Sequence, residues 1–425
     1  MNMRIAGSTS DTVVDERACS NEPIPTSNLG RHVLGQRASF WVAAAVVSHT
    51  LWTSAAPAMS YPLFASAWNL TTTATTAIYA IYPVVVVAVL TFFGDISDYV
   101  GRRTAMLLGV GASLAGALIF AVAPDILWIF AARALMGVGV GLSAGPSTAA
   151  VIEFSAPDQC ARASSITTAA QALGLAAAML VGGALIEYAP FPTRLNFWVL
   201  SIILAGLFAA TWFLPRRATD TTMGRWRMKL PSVPRTLRTT FIVSAAAVTT
   251  GYTVAAVVQS LGAQIALDLV GSSNAFVNGA ALSLFAIVFG VVSVLCKRLA
   301  FRAAIMLGGV ASMAAMALLA LSTARHSLWV FLGASAGAGI GYSLLFMGGL
   351  RMLSSVAPAE RRGGTLSALY LVAYLAMGAV ALLLGKVATA SGLGIAIDLG
   401  ATTIALLAAV VIVVVVLTRN SPAPT

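Results

Sequence analysis

A helix needs about 20 mostly apolar residues to cross roughly 30 Å of hydrocarbon. Runs of that length, separated by short charged or turn-rich segments, follow one another twelve times in this 425-residue chain. They lie near 38–61, 73–93, 104–123, 126–150, 164–186 and 195–214, then near 240–263, 275–295, 303–322, 327–350, 365–385 and 395–417. In lipid every backbone polar group must be bonded inside the segment or by a closed barrel. Continuous glycine-containing runs of this length fit helices, because barrel strands alternate and are half as long. Only 9% of residues are charged, against about 25% in soluble domains. The expected fold is therefore an all-α integral membrane protein of twelve transmembrane helices in two six-helix bundles.

The net charge of +11 would raise the question of nucleic acid in a soluble chain. Its distribution answers otherwise. With the N-terminus inside, inner loops and tails hold 21 of the 25 Lys and Arg residues. Outer loops hold Arg194, Arg325 and Lys386, and Arg133 lies within a span. The positive-inside rule then places both termini in the cytoplasm of a cell with an inner, or plasma, membrane. Residues 1–37, with Asp11, Asp15, Glu16 and Glu22 and no apolar core, read as a disordered cytoplasmic tail. Residues 38–214 form the N-terminal bundle, 215–239 a basic cytoplasmic linker, 240–417 the C-terminal bundle and 418–425 a short tail. The linker carries seven positive charges and two prolines in RRATDTTMGRWRMKLPSVPRTLR, as expected of a solvated tether near anionic lipid. Cys19, Cys160 and Cys296 all fall on the cytoplasmic side, so no disulfide is expected.

The halves echo each other. Leu127, Trp128 and Phe130 lead into GVGVGLS from Gly137, as Leu328, Trp329 and Phe331 lead into GAGIGYS from Gly337. Gly109, Ala112 and Ser113 answer to Gly308, Ala311 and Ser312, again about 200 residues on. A duplicated six-helix unit accounts for both. The small residues suit close helix packing or helices that flex and slide.

Between the second and third spans the chain reads GDISDYVGRR, Gly94 to Arg103. Gly94 and Gly101 permit a tight turn, Asp98 is an acceptor for a helix N-terminus, and Arg102 and Arg103 offer forked donors beside anionic headgroups. The segment resembles the GxxxDxxGRR inner-loop signature of the major facilitator superfamily, bacterial twelve-helix type. The fourth span adds Arg133 followed by Gly137, Gly139 and Gly141, similar to that superfamily's RxxxGxG pattern. A guanidinium inside a span is costly unless partnered, so Arg133 reads as functional or as a structural hydrogen-bonding group. By resemblance, Asp98, Arg102, Glu153, Arg162 and Arg362 form a cytoplasmic gate. APDQCARA after Glu153 and APAERRG around Glu360 repeat one idea in the two halves.

Three departures narrow the resemblance. Tyr99 replaces a basic residue. GLAAAMLVGG from Gly174 to Gly183 has Ala178 and Met179 where the antiporter signature has Gly-Pro, which weakens a drug-export reading. The loop around CKRLAFR keeps only positive charge.

The resemblance implies a midplane site lined by the first, fourth, seventh and tenth helices. Mapped here, these offer His49 and Trp52, Arg133, Tyr252 and Gln259, and Tyr342. Tyr79 and Tyr82 in span two, and Tyr370 and Tyr374 in span eleven, share helix faces. Each of these is a candidate substrate contact or an interhelical hydrogen-bonding group. Glu153, Asp268 and Asp398 sit at span ends or in loops, and His49 is the one histidine placed within a span. Imidazole titrates near neutral pH, so His49 is the candidate proton-coupling group, with a neutral hydrogen-bonded histidine as the alternative.

The expected function is secondary active transport of a small organic solute by alternating access, coupled to H+. A facilitative uniporter or a drug-type effluxer of the same superfamily is the alternative. A membrane enzyme would need a nucleophile, metal cluster or phosphate loop, and three His and three Cys give no ligand spacing. No metal, cofactor, nucleic acid or obligatory protein partner is expected, only solute and membrane lipid. A solute receptor would want a signalling domain, for which the tail after residue 417 leaves no room.

Overall fold

A computed structural model describes residues 33–94, 96–155, 160–215, 233–357 and 359–417, with only the backbone of residues 98, 160–162, 164 and 359–363. Most of the two tails and of the linker, and Cys19, lie outside those residues, as do the side chains of Cys160, Asp98, Arg162 and Arg362. Cys296 is a free, half-buried thiol. Every regular element among the described residues is helical.

The N-terminal half runs α1 (Gln36–Ala55), α2 (Tyr61–Trp68), α3 (Thr72–Phe93), α4 (Ser97–Val100), α5 (Arg102–Val122), α6 (Ile126–Glu153), α7 (Cys160–Tyr188) and α8 (Leu195–Trp212). The C-terminal half runs α9 (Arg238–Gln264), α10 (Ala275–Leu295), α11 (Phe301–Ala324), α12 (Leu328–Ser354), α13 (Ala359–Ser391) and α14 (Leu393–Leu417). Twelve of these are long, and eleven are long and apolar enough to cross a membrane by length and composition. The twelfth is α1, whose 20 residues are diluted by Gln36, Arg37, Ser39, Ser48, His49, Thr50 and Thr53. The apolar run expected over 38–61 is not one helix, because Pro57 has no N–H to continue α1. A single tight turn (Ala58–Ser60) and α2 follow instead, and Asn69 closes α2 with a left-handed φ of 50°.

Side-chain caps set three starts at one end of the bundle. Asp125 accepts from Leu127 N–H at 2.8 Å, Asn274 from Val277 N–H at 2.9 Å and Thr71 from Ala74 N–H at 3.3 Å. The opposite end carries Arg102, Arg103, Arg235, Arg238, Lys297, Arg298 and Arg302, and is called the basic end below. Large apolar side chains such as Leu173, Ile202, Val310 and Val410 stay exposed on the flanks, as a lipid-facing surface requires.

The two halves meet along two seams, α3 against α13 and α7 against α10. Within each half the repeat is real, but its register differs from the sequence reading. Gly137 on α6 packs on the Tyr82 carbonyl of α3, and the matching contact in the other half is Gly339 on α12 against the Phe285 carbonyl of α10. Likewise Gly109 meets Ser143 where Gly308 meets Leu345, and Ser113 meets Gly139 where Ser312 meets Gly341. The α5/α11 offset is thus 199 and the α6/α12 offset 202, not the 200 suggested by aligning Gly137 with Gly337. A GxGxG run looks the same after a two-residue slip, and only the partner helices reveal which glycine faces which neighbour.

Candidate functional site

At the basic end, Gly94 ends α3 and Asp98 lies in the one-turn α4. Gly101 adopts φ 83°, a region that other residues rarely enter, and this turn delivers Arg102 to the start of α5. Arg102 forms an ion pair with Glu153, the last residue of α6, the arginine side chain 37% and the glutamate 10% exposed. A cation at a helix N-terminus and an anion at a C-terminus are each disfavoured by the helix dipole. Pairing them offsets both. Arg103 donates to the Trp212 carbonyl at the end of α8, its guanidinium 5.6 Å from the Trp212 ring centre.

Inside the bundle Arg133 is completely buried. Nη1 donates to the Ser54 carbonyl of α1 at 3.0 Å and Nε to the Ile78 carbonyl of α3 at 3.4 Å, while the guanidinium stacks 4.7 Å over the Tyr82 ring. One helix therefore grips two neighbours through a single side chain. Nη2 has no hydrogen-bond partner, nor has the hydroxyl of the equally buried Tyr79, which lies within electrostatic range of Arg133.

Across the interface the C-terminal half supplies an aromatic cluster. Tyr342 of α12 stacks parallel to Phe346 at 5.9 Å and meets Phe289 edge-on at 5.1 Å, with Phe285 at 5.6 Å. Tyr252 of α9 meets Tyr374 of α13 edge-on at 5.0 Å and Tyr342 at 6.0 Å, and Tyr370 touches Phe346. Tyr82 is within electrostatic range of Tyr342 and Tyr374, so it stands between the guanidinium and the cluster. Tyr252, Tyr342 and Tyr374 are thus brought together, as are Arg133, Tyr79 and Tyr82. Gln259 is buried on α9 with its carbonyl oxygen unpartnered.

His49 and Trp52 are set apart from that cluster. Both line a cavity of about 740 Å³ between α1, α7 and α8, otherwise walled mainly by apolar side chains such as Ile166, Leu173, Leu204 and Leu207. His49 is 3% exposed, with Nδ1 on the Val46 carbonyl and Nε2 3.4 Å from Ser113 Oγ. A carbonyl can only accept, so Nδ1 carries the proton and Nε2 accepts from the Ser113 hydroxyl.

At the end opposite the basic one, hydrogen bonds join the halves directly. Glu187 of α7 accepts from Ala275 N–H at the start of α10 at 2.8 Å, and Thr73 of α3 meets Thr389 of α13 at 2.8 Å. Neither pair follows from a motif. Phe285, Phe289 and Phe346 were equally invisible as site residues, since a phenylalanine in an apolar run carries no signal until its neighbours are known.

The family model described as Major Facilitator Superfamily matches residues 41–324, more than half the chain. The Multidrug efflux pump LfrA of Mycolicibacterium smegmatis (strain ATCC 700084 / mc(2)155) is 32% identical over 158 residues, 35% of this chain and 30% of that protein. The chain thus matches less than a third of that relative's length. Among solved structures, the nucleoside transporter NupG superposes with a TM-score of 0.71 at 11% identity, over 90% of this chain and 99% of that one. A peptide transporter POT in complex with sulfate gives 0.72 at 16% identity, over 96% and 98%. At such identities the likeness is one of fold.

Proposed function

The chain belongs to the Major Facilitator Superfamily, and from that premise we propose that it is a secondary transporter moving a small organic solute by alternating access. The observation that carries this reading is the arrangement at the junction of the halves. A buried guanidinium on one half stacks on Tyr82, which lies within electrostatic range of Tyr342 and Tyr374 in the aromatic cluster of the other. Rocking of two bundles about such a junction exposes it to each side in turn.

The basic end is the cytoplasmic one under the positive-inside rule. The Arg102–Glu153 pair then belongs to the cytoplasmic gate, together with Asp98, Arg162 and Arg362, and the bonds from Glu187 and Thr73 close the outer end. Gly137, Gly139 and Gly141 keep α6 close to α3 and α5 while the gate works.

His49 is the proposed proton-coupling group. Protonating Nε2 turns it from acceptor to donor and forces the Ser113 hydroxyl to reverse. Ser113 also sits in the notch of Gly139, so a proton taken up on α1 is felt at the α5–α6 crossing. Tyr252, Gln259, Tyr342 and Tyr374 are the remaining candidate solute contacts, and Trp52 lines the separate cavity with His49. Export of the solute is the second reading, favoured by the partial match to a multidrug efflux pump.

Purified protein in liposomes, given a compound panel under imposed proton gradients, tests the reading. Accumulation that follows the gradient is expected. Specific binding of a compound that never crosses under any gradient would overturn it in favour of a receptor.

A further inference from the structure

Resting on the transporter reading above, we infer that the solute is a small organic anion, a carboxylate carrying an apolar or aromatic body. Its carboxylate pairs with Arg133 and its body lies against the aromatic cluster of the C-terminal half.

Arg133 is a full positive charge with 0% exposure, held by two carbonyls and one ring, none of which carries a formal negative charge. The described carboxylates Asp125, Glu153, Glu187 and Asp268 stand at helix ends or in end turns, and Asp398 is exposed in the second turn of α14. An unpaired buried charge is strongly disfavoured. Here the unmet groups are Nη2 of Arg133, which can only donate, and the Tyr79 hydroxyl, which is free to donate beside it. A carboxylate has two oxygens and accepts from both, whereas an ammonium would meet the repulsion of the guanidinium.

The other half builds the equivalent helix crossing without a charge. In the structural register of the repeat, Arg133 on α6 corresponds to Ser335 on α12, and Tyr82 on α3 to Phe285 on α10. The same helix crossing is therefore built in the C-terminal half around a buried serine. The guanidinium stands in one copy of the repeat only.

Ring-shaped apolar surface is concentrated in the other copy. Tyr342, Phe346, Tyr252 and Tyr374 pack their rings together, and Tyr342 and Tyr374 lie within electrostatic range of Tyr82, which carries Arg133 on its ring. A ligand holding both anchors spans the two halves, so its binding energy acts on their relative position.

The test uses the purified full-length chain in detergent. Benzoate, phenylacetate and indole-3-acetate are titrated against benzamide, phenylacetamide and indole-3-acetamide by thermal stabilisation and tryptophan fluorescence. At least one acid is expected to bind about 30-fold or more tightly than its amide, as for loss of one partner of a buried charge pair. R133S, which takes the residue of the other repeat, should erase that ratio. R133K should keep part of it. Amides binding as tightly as acids, an unaltered ratio in R133S, tighter binding of tetraphenylphosphonium than of any acid, or no acid bound at millimolar concentration would each overturn the proposal. The wild-type ratio decides alone if R133S does not fold. Transport of other solutes by liposomes that ignore these acids sinks only the anion assignment. Acid binding without transport sinks only the transporter reading.

Discussion

Ser113 on α5 seats its hydroxyl against the backbone of Gly139 on α6, so that a β-carbon built at Gly139 would lie 2.1 Å from Ser113 Oγ. The other half repeats this at Ser312 and Gly341, at 2.2 Å. Two helices approach that closely only where one presents no side chain. G139A and G341A should each destabilise the protein by about 1–3 kcal/mol, the usual cost of overpacking. G145A, where a β-carbon meets nothing within 4 Å, should be neutral or slightly stabilising, since alanine is the better helix former. Thermal melting in detergent separates the two outcomes. Equal melting of G139A and G145A would show that the crossing tolerates a methyl group.

Ser113 is also the hydroxyl facing His49 Nε2. H49Q keeps a hydrogen-bonding side chain but cannot take up a proton near neutral pH. It should lose pH-driven accumulation in proteoliposomes while retaining solute counterflow. Accumulation that persists in H49Q removes histidine from the coupling step. S113A should slow accumulation several-fold without abolishing it, because the imidazole itself is still in place.

The Arg102–Glu153 pair is too exposed on its arginine side to add much stability; such pairs contribute about 0–1 kcal/mol. E153Q should therefore melt within a few degrees of the native chain, yet cycle more slowly because the link between α5 and α6 is weakened. The double exchange R102E/E153R places each charge at its preferred helix end and should recover part of the lost rate. Full-speed transport by E153Q would assign the pair no part in gating. D98N is expected to impair cycling as well, and is scored in the same assay.

At the other end, Glu187 and Thr73 tie α7 to α10 and α3 to α13. Thr76 is buried in the second of these seams, beside Gly385. With Cys19, Cys160 and Cys296 replaced, a T76C probe should react slowly with a membrane-impermeant maleimide. Adding E187A and T73A should raise that rate about 30-fold, since two net hydrogen bonds are worth about 2 kcal/mol together. An unchanged rate would mean that these bonds do not hold the end closed.

The amino-acid sequence by itself determined the number and approximate limits of the crossing helices, because apolar length is a local property that no tertiary contact can supply. It also placed Arg133 inside a span and located the GDISDYVGRR turn, whose Gly101 does take up a left-handed φ. Tertiary structure decided what each side chain faces. Leading out from Pro57, it replaced the end of the first span with a turn and α2. It separated His49 from the aromatic cluster, added Phe285, Phe289 and Phe346 to that cluster, and moved the repeat of α6 onto α12 by two residues. The reason is the same in each case. A helix shows its neighbours only one stripe of residues at a time, and which stripe meets which neighbour is fixed by packing across the bundle, not by the order of residues along the chain.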